Sequence, residues 1–69
     1  MFLEGDNLFL RGLPDDDVEV EVVAMSGQRI LHLFLSGENS ITLSRANLPH
    51  HGIVRVLNAE GHLLFSRIY

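Results

Sequence analysis

Four histidines (His32, His50, His51 and His62), three consecutive aspartates (Asp15, Asp16 and Asp17) and five serines are the side chains with which this chain could do chemistry. Imidazoles converging with carboxylates would hold zinc, and an imidazole beside a hydroxyl would make a hydrolytic pair. The spacing argues against both. His50 and His51 are adjacent, so on a strand they point to opposite faces and chelate together only from a loop. Asp15-Asp16-Asp17 lacks the Asp-x-Asp alternation and the following glycine of a calcium loop, and reads as a solvated turn that protects a neighbouring strand edge. Ser26, Ser36, Ser40, Ser44 and Ser66 stand in no nucleophile elbow. Gly52 and Gly61 are turn glycines that open no helix, so neither cradles a phosphate. With no Trp and one Tyr, the chain offers few stacking platforms for a sugar. The reading is a protein that is not an enzyme and has no metal, no cofactor and no small-molecule substrate.

The size of the chain supports that reading. Sixty-nine residues make one domain, and a chain of this length buries only about 60% of its unfolded surface, too little for a deep cleft. Cysteine is absent, so packing alone must stabilise the fold. No apolar run approaches the roughly 18 residues of a membrane-spanning helix. The net charge is −4, and the first 21 residues hold seven acids against Arg11. Five arginines, no lysine and an acidic balance leave no electrostatic footprint for a phosphate backbone, which excludes nucleic acid as a partner.

Strands are the elements that must position these residues. Val18-Glu19-Val20-Glu21-Val22 alternates strictly and runs on through Val23-Ala24-Met25, so its valines face a core and its glutamates face water. Ser26-Gly27 is a turn, and Gln28 to Leu35 returns with Leu31, Leu33 and Leu35 on one face. Ile30 to Leu35 is apolar on both faces, which predicts a strand inside the fold or at a partner interface. Ser36-Gly37-Glu38-Asn39 is a second turn, and Ser40-Ile41-Thr42-Leu43 a short strand. Ser44 to His51 crosses between sheets through one helical turn. Phe2-Leu3-Glu4 and Leu8-Phe9-Leu10-Arg11 flank the turn Gly5-Asp6-Asn7, and Gly12 to Asp17 is loop. At the far end, Ile53-Val54-Arg55-Val56-Leu57, the turn Asn58-Ala59-Glu60-Gly61 and His62 to Tyr69 form a hairpin, with Leu63, Phe65 and Tyr69 on one face and Leu64 and Ile68 on the other. Up to seven short strands with glycine-bearing turns predict an all-β fold, a small antiparallel β-sandwich of Ig-like type spanning residues 1–69.

The order of these motifs resembles the C-terminal sorting domain of proteins exported by the bacterial type IX (Por) secretion system. Val20 to Met25 with Ser26-Gly27-Gln28-Arg29 is similar to that family's first hairpin, Ile41-Thr42-Leu43 to its middle strand, and Leu48-Pro49 with Gly52 to its Leu-Pro-x-x-Gly step. Val54-Arg55-Val56, Gly61 and Arg67-Ile68 are similar to its closing hairpin. The likeness covers roughly three quarters of the chain. Ile53-Val54 stand where the family has a tyrosine, and Arg67 stands where it has lysines.

The resemblance implies a non-catalytic secretion signal that directs a cargo protein across the outer membrane. Its partners would be the type IX outer-membrane machinery and its sorting protease. The protein would pass through the periplasm and end at the outer-membrane surface or in the medium. Gly52, Val54, Arg55, Val56, Gly61, Arg67, Ile68 and Tyr69 are the residues the resemblance assigns to recognition by that machinery. Met1-Phe2-Leu3-Glu4 lacks the features of a signal peptide, so the chain is expected to be the C-terminal fragment of a longer precursor cleaved upstream of Met1. An ordered final strand with no polar tail predicts a terminus that is used or protected, and β-augmentation is the recognition mode that suits it. The alternative is a structural or adhesive sandwich that self-associates, as a homodimer through strand edges.

Overall fold

The computed structural model describes residues 2–4 and 7–69. Seven strands follow in order: β1 (Phe2–Glu4), β2 (Leu8–Arg11), β3 (Val18–Ala24), β4 (Arg29–Leu35), β5 (Ser40–Leu43), β6 (Gly52–Asn58) and β7 (Leu63–Ile68). A single 3-10 turn, Arg45–Asn47, separates β5 from β6. The strands form two antiparallel sheets, ordered β1-β2-β5 and β4-β3-β6-β7, so the fold is an all-β sandwich. Gly5 and Asp6 of the expected first turn lie outside the described residues.

The core forms where the alternation places it. Val18, Val20 and Val22 of β3 and Val54 and Val56 of β6 meet Leu8 and Leu10 of β2, Leu43 of β5 and Leu13 from the loop between β2 and β3. Each such side chain contributes about 1.5–3 kcal/mol when fully buried. Valines of one sheet facing leucines of the other fill the space between the two pleated surfaces without polar atoms to satisfy.

Hairpin turns set the register. Between β3 and β4, Gly27 donates to the Ala24 carbonyl at 2.8 Å and Ala24 donates to Gln28 at 2.8 Å. Gly27 has φ +94°, a left-handed conformation that a side chain would strain. Between β6 and β7, Asn58 Oδ1 accepts from the amides of Glu60 and His62 at 3.0 and 2.8 Å. There Gly61, at φ +83°, closes the turn on the Asn58 carbonyl at 2.9 Å.

Two expectations are corrected and one is narrowed. Glu21 does not face open water: its side chain is 11% exposed, with Arg55 at 2.8 Å and Arg29 at 3.6 Å. Neighbouring strands on both sides of β3 wall it in, which alternation within one strand does not reveal. β4, expected inside the fold or at a partner interface, is an edge of the four-stranded sheet, which removes the first option. A bulge in β7 also breaks the expected alternation: Phe65 pairs with Val56, whereas Leu63 pairs with Leu57. The extra residue moves Leu63 to the outer face of the sheet and turns Leu64 toward a shallow cleft shared with Gly12, Pro14 and Val18.

Candidate recognition site at the closing hairpin

Tyr69 organises the end of the four-stranded sheet. Its amide donates to the Gly52 carbonyl at 3.0 Å, and its hydroxyl donates to the Pro49 carbonyl at 3.0 Å. The Arg45 guanidinium lies 5.4 Å from the centre of its ring, and His51 Nδ1 stands 3.4 Å from its carbonyl oxygen. The 3-10 turn and the Leu48–Gly52 segment therefore wrap one aromatic ring. Burial raises the Tyr69 hydroxyl pKa above its ordinary 10.0, partly offset by the positive charge of Arg45.

The ring explains Gly52. A Cβ there would stand 2.9 Å from the Tyr69 hydroxyl oxygen and 2.9 Å from the Val23 carbonyl oxygen. Tyr69 covers the bare backbone across the strand pair, and the covered position has no room for a side chain.

The residues singled out for recognition separate into two sets. Gly52, Val54 and Val56 are buried, and the two valines belong to the core, so a partner approaching the folded domain does not reach them. They pack or position; they are not a contact surface. Arg55 is the partner of Glu21, and Gly61 shapes the β6–β7 turn. Arg67 and Ile68 are exposed, Ile68 by 64%, and Tyr69 is half-buried. Arg67 also lies 5.9 Å from the centre of the Phe65 ring. Of the expected residues on β7, Arg67 and Ile68 are thus the accessible ones, with the exposed Leu63, Leu64 and Ser66 beside them; Ser66 and Ile68 lie on the outer face, whereas Arg67 shares the side of Val54.

Main-chain geometry adds a second readable feature. Tyr69 is opposite Gly52 and hydrogen-bonds to it, so Arg67 and Phe65, at alternate positions, also turn their peptide groups toward β6. Ser66 and Ile68 then point theirs outward, along a free sheet edge. Alternate amides and exposed apolar side chains are what an added strand reads.

The other candidates do not converge. No group of three or more His, Cys, Asp or Glu side chains placed to hold a metal occurs among the described residues. His50 and His51 are exposed, their rings 5.2 Å apart edge to face. His32 lies on the outer face of β4, 3.8 Å from Glu19 and 4.7 Å from the Phe34 ring. Asp17 accepts a hydrogen bond from the Ser36 hydroxyl at 2.6 Å, tying the acidic loop to the end of β4. Sequence reasoning missed Glu21 and the Pro49 carbonyl. For Glu21 the available signal was Arg29 on the run expected to return beside its strand, and nothing in the sequence placed Arg55 on its other side; for Pro49 there was none, because a main-chain oxygen has no residue type. No protein-family model, no curated protein and no solved structure matches this chain.

Proposed function

We propose that this domain is a non-catalytic C-terminal sorting module that directs an attached cargo protein across the outer membrane by type IX secretion. The observation that carries the reading is β7: an edge strand in a closing hairpin, with outward amides at Ser66 and Ile68 and exposed Leu63, Arg67 and Ile68. The order of motifs from Val18 to Tyr69 supports the same assignment. Docking of Tyr69 on Gly52 and Pro49 keeps the strand ordered before any partner arrives, which lowers the entropy lost on binding. Its partners on this reading are the type IX outer-membrane machinery and the sorting protease.

The experiment is a fusion of residues 1–69 to the C-terminus of a periplasmic reporter in a bacterium that has the system. The reporter is expected at the cell surface or in the medium. Arg67→Glu with Ile68→Ser changes two exposed side chains, leaves the core valines and the Tyr69 contacts in place, and is expected to strand the reporter in the periplasm. Thermal melting of the isolated domain separates lost recognition from lost folding. A folded, intact parent fusion that stays periplasmic defeats the proposal.

A further inference from the structure

β4 is the least protected edge among the described strands. Strands at sheet edges normally carry a charge, a proline, a bulge or a very short length that discourages pairing with another chain. β5 is four residues long and runs into the loop before the 3-10 turn, and β7 has its bulge and Arg67. In β4 a bulge lies at Ile30, and the stretch from Leu31 to Leu35 is then regular, with no proline and no Lys, Arg, Asp or Glu. Leu31, Leu33 and Leu35 are only half-buried, and Phe34 is 72% exposed. The sequence called for an interior strand or a partner interface here. The edge position removes the first option.

The direction of the free peptide groups follows from the ladders. Val54 and Val56 turn toward β7, so Glu19 and Glu21, opposite Leu57 and Arg55, turn toward β6; Val18, Val20 and Val22 then turn toward Leu35, Leu33 and Leu31. His32 and Phe34 are left pointing outward.

We propose that a second copy of this chain pairs with β4, antiparallel, about a two-fold axis at Leu33. In that register His32 of each copy faces Phe34 of the other, and each such pair exchanges two main-chain hydrogen bonds. Leu33 faces Leu33, and Leu31 faces Leu35, so every side chain of the regular stretch meets an apolar or aromatic one. No like charges are opposed. Arg29 of each copy comes beside the Ser36–Asn39 turn of the other, which carries Glu38, giving complementary charge at both ends. The contact is isologous and closes on itself, leaving β7 as the edge of the enlarged sheet and free for another partner. A pairing of one short strand buries less than the roughly 800 Å² per partner of a standard interface, so the dimer is expected to be weak. The proposal depends only on the sandwich and holds whether or not the domain sorts cargo.

Sedimentation velocity on residues 1–69, from micromolar to millimolar concentration, is expected to show a monomer–dimer equilibrium. Synthesis with an N-methyl group on the Phe34 amide removes one outward donor and leaves the β3–β4 ladder intact. It is expected to weaken the dimer at least about tenfold, with an unchanged circular dichroism spectrum. The same modification at Ser66, the outward amide of β7, is expected to change nothing. The register is read by Leu33→Cys: a directly opposed, non-hydrogen-bonded pair has Cα atoms about 4.5 Å apart, within disulfide range, and the parent has no cysteine to compete. Oxidised glutathione is expected to link this variant into a covalent dimer, and to link Ser66→Cys far less. A folded parent that stays monomeric at millimolar concentration overturns the proposal, even if it binds some other strand. So does a dimer lost on modifying Ser66 instead of Phe34.

Discussion

On the inner face of the four-stranded sheet, Val18, Val20, Val22, Val54 and Val56 pack against leucines of the opposing sheet with no polar side chain among them. One residue along the same strands, on the outer face, Glu21 sits between Arg55 and Arg29, with Glu19 and His32 beside it and the exposed Phe34, Leu63 and Ile68 around them. The inner face is closed by a second sheet, so its stability comes from area removed from water. Nothing among the described residues covers the outer face, yet Glu21 is nearly as buried as a core residue, because the long stems of neighbouring side chains wall it in. A carboxylate in that position costs desolvation free energy unless its charged partners stay in place. The two faces should therefore respond differently to substitution.

The largest effect is expected on the inner face. Val20→Asp buries a carboxylate with no partner among valines and leucines, and should cost more than about 4 kcal/mol, enough to unfold a domain of this size. Circular dichroism at room temperature checks it; a cooperative melt near that of the parent would show that the inner face tolerates water.

Gly52→Ala tests the end of the same face. The Val23 carbonyl in the path of the added methyl belongs to the β3–β6 ladder and cannot swing away, so about 1–3 kcal/mol should be lost in urea unfolding. Adding Tyr69→Leu should not restore the loss, because the carbonyl clash remains. Full restoration would mean that the ring alone excludes the side chain.

The outer face comes next. Glu21→Gln removes a charge held by two guanidinium groups and should cost about 1–2 kcal/mol, whereas Glu19→Gln, more exposed and 3.8 Å from His32, should stay within about 0.5 kcal/mol. Equal midpoints for the two variants would erase the distinction between a walled and an open glutamate.

Titration of Tyr69 should give the smallest effect. Because its folded pKa is raised, the neutral phenol is favoured by folding: this contribution is complete below the ordinary value of 10.0 and is lost as pH rises through the folded value. Tyr69 is the single tyrosine and there is no tryptophan, so phenolate absorbance reports it alone. The midpoint should lie above 10.0 in the folded protein and return toward it in denaturant. A midpoint unchanged by unfolding would place the ring in water.

Much of the fold was legible because strand alternation is local. Val18 to Val22 declared a buried face, and the glycines at 27 and 61 marked the turns that return β4 and β7 to their sheet. The crossing between β5 and β6 was legible as a stretch without period, and it contains the one 3-10 turn among the described residues. Burial at the residues expected for recognition was not legible. Listing Val54 and Val56 with Arg67 and Ile68 followed the order of a resemblance, and that order does not distinguish a core position from a surface one. The bulge at Leu63–Leu64 was invisible because one extra residue changes which face follows without changing composition.

The sequence by itself determined that the chain is built of strands, which residues of β3 face a core, and where the chain reverses. These are consequences of a period of two and of backbone angles that glycine alone adopts easily. The tertiary structure alone decided which strands lie at the edges, that Glu21 is enclosed by Arg55 and Arg29, and that Tyr69 closes over Gly52 to reach the Pro49 carbonyl. Each of these depends on which strands become neighbours. That choice is made by pairing and packing across residues distant in the chain, and no single segment carries it.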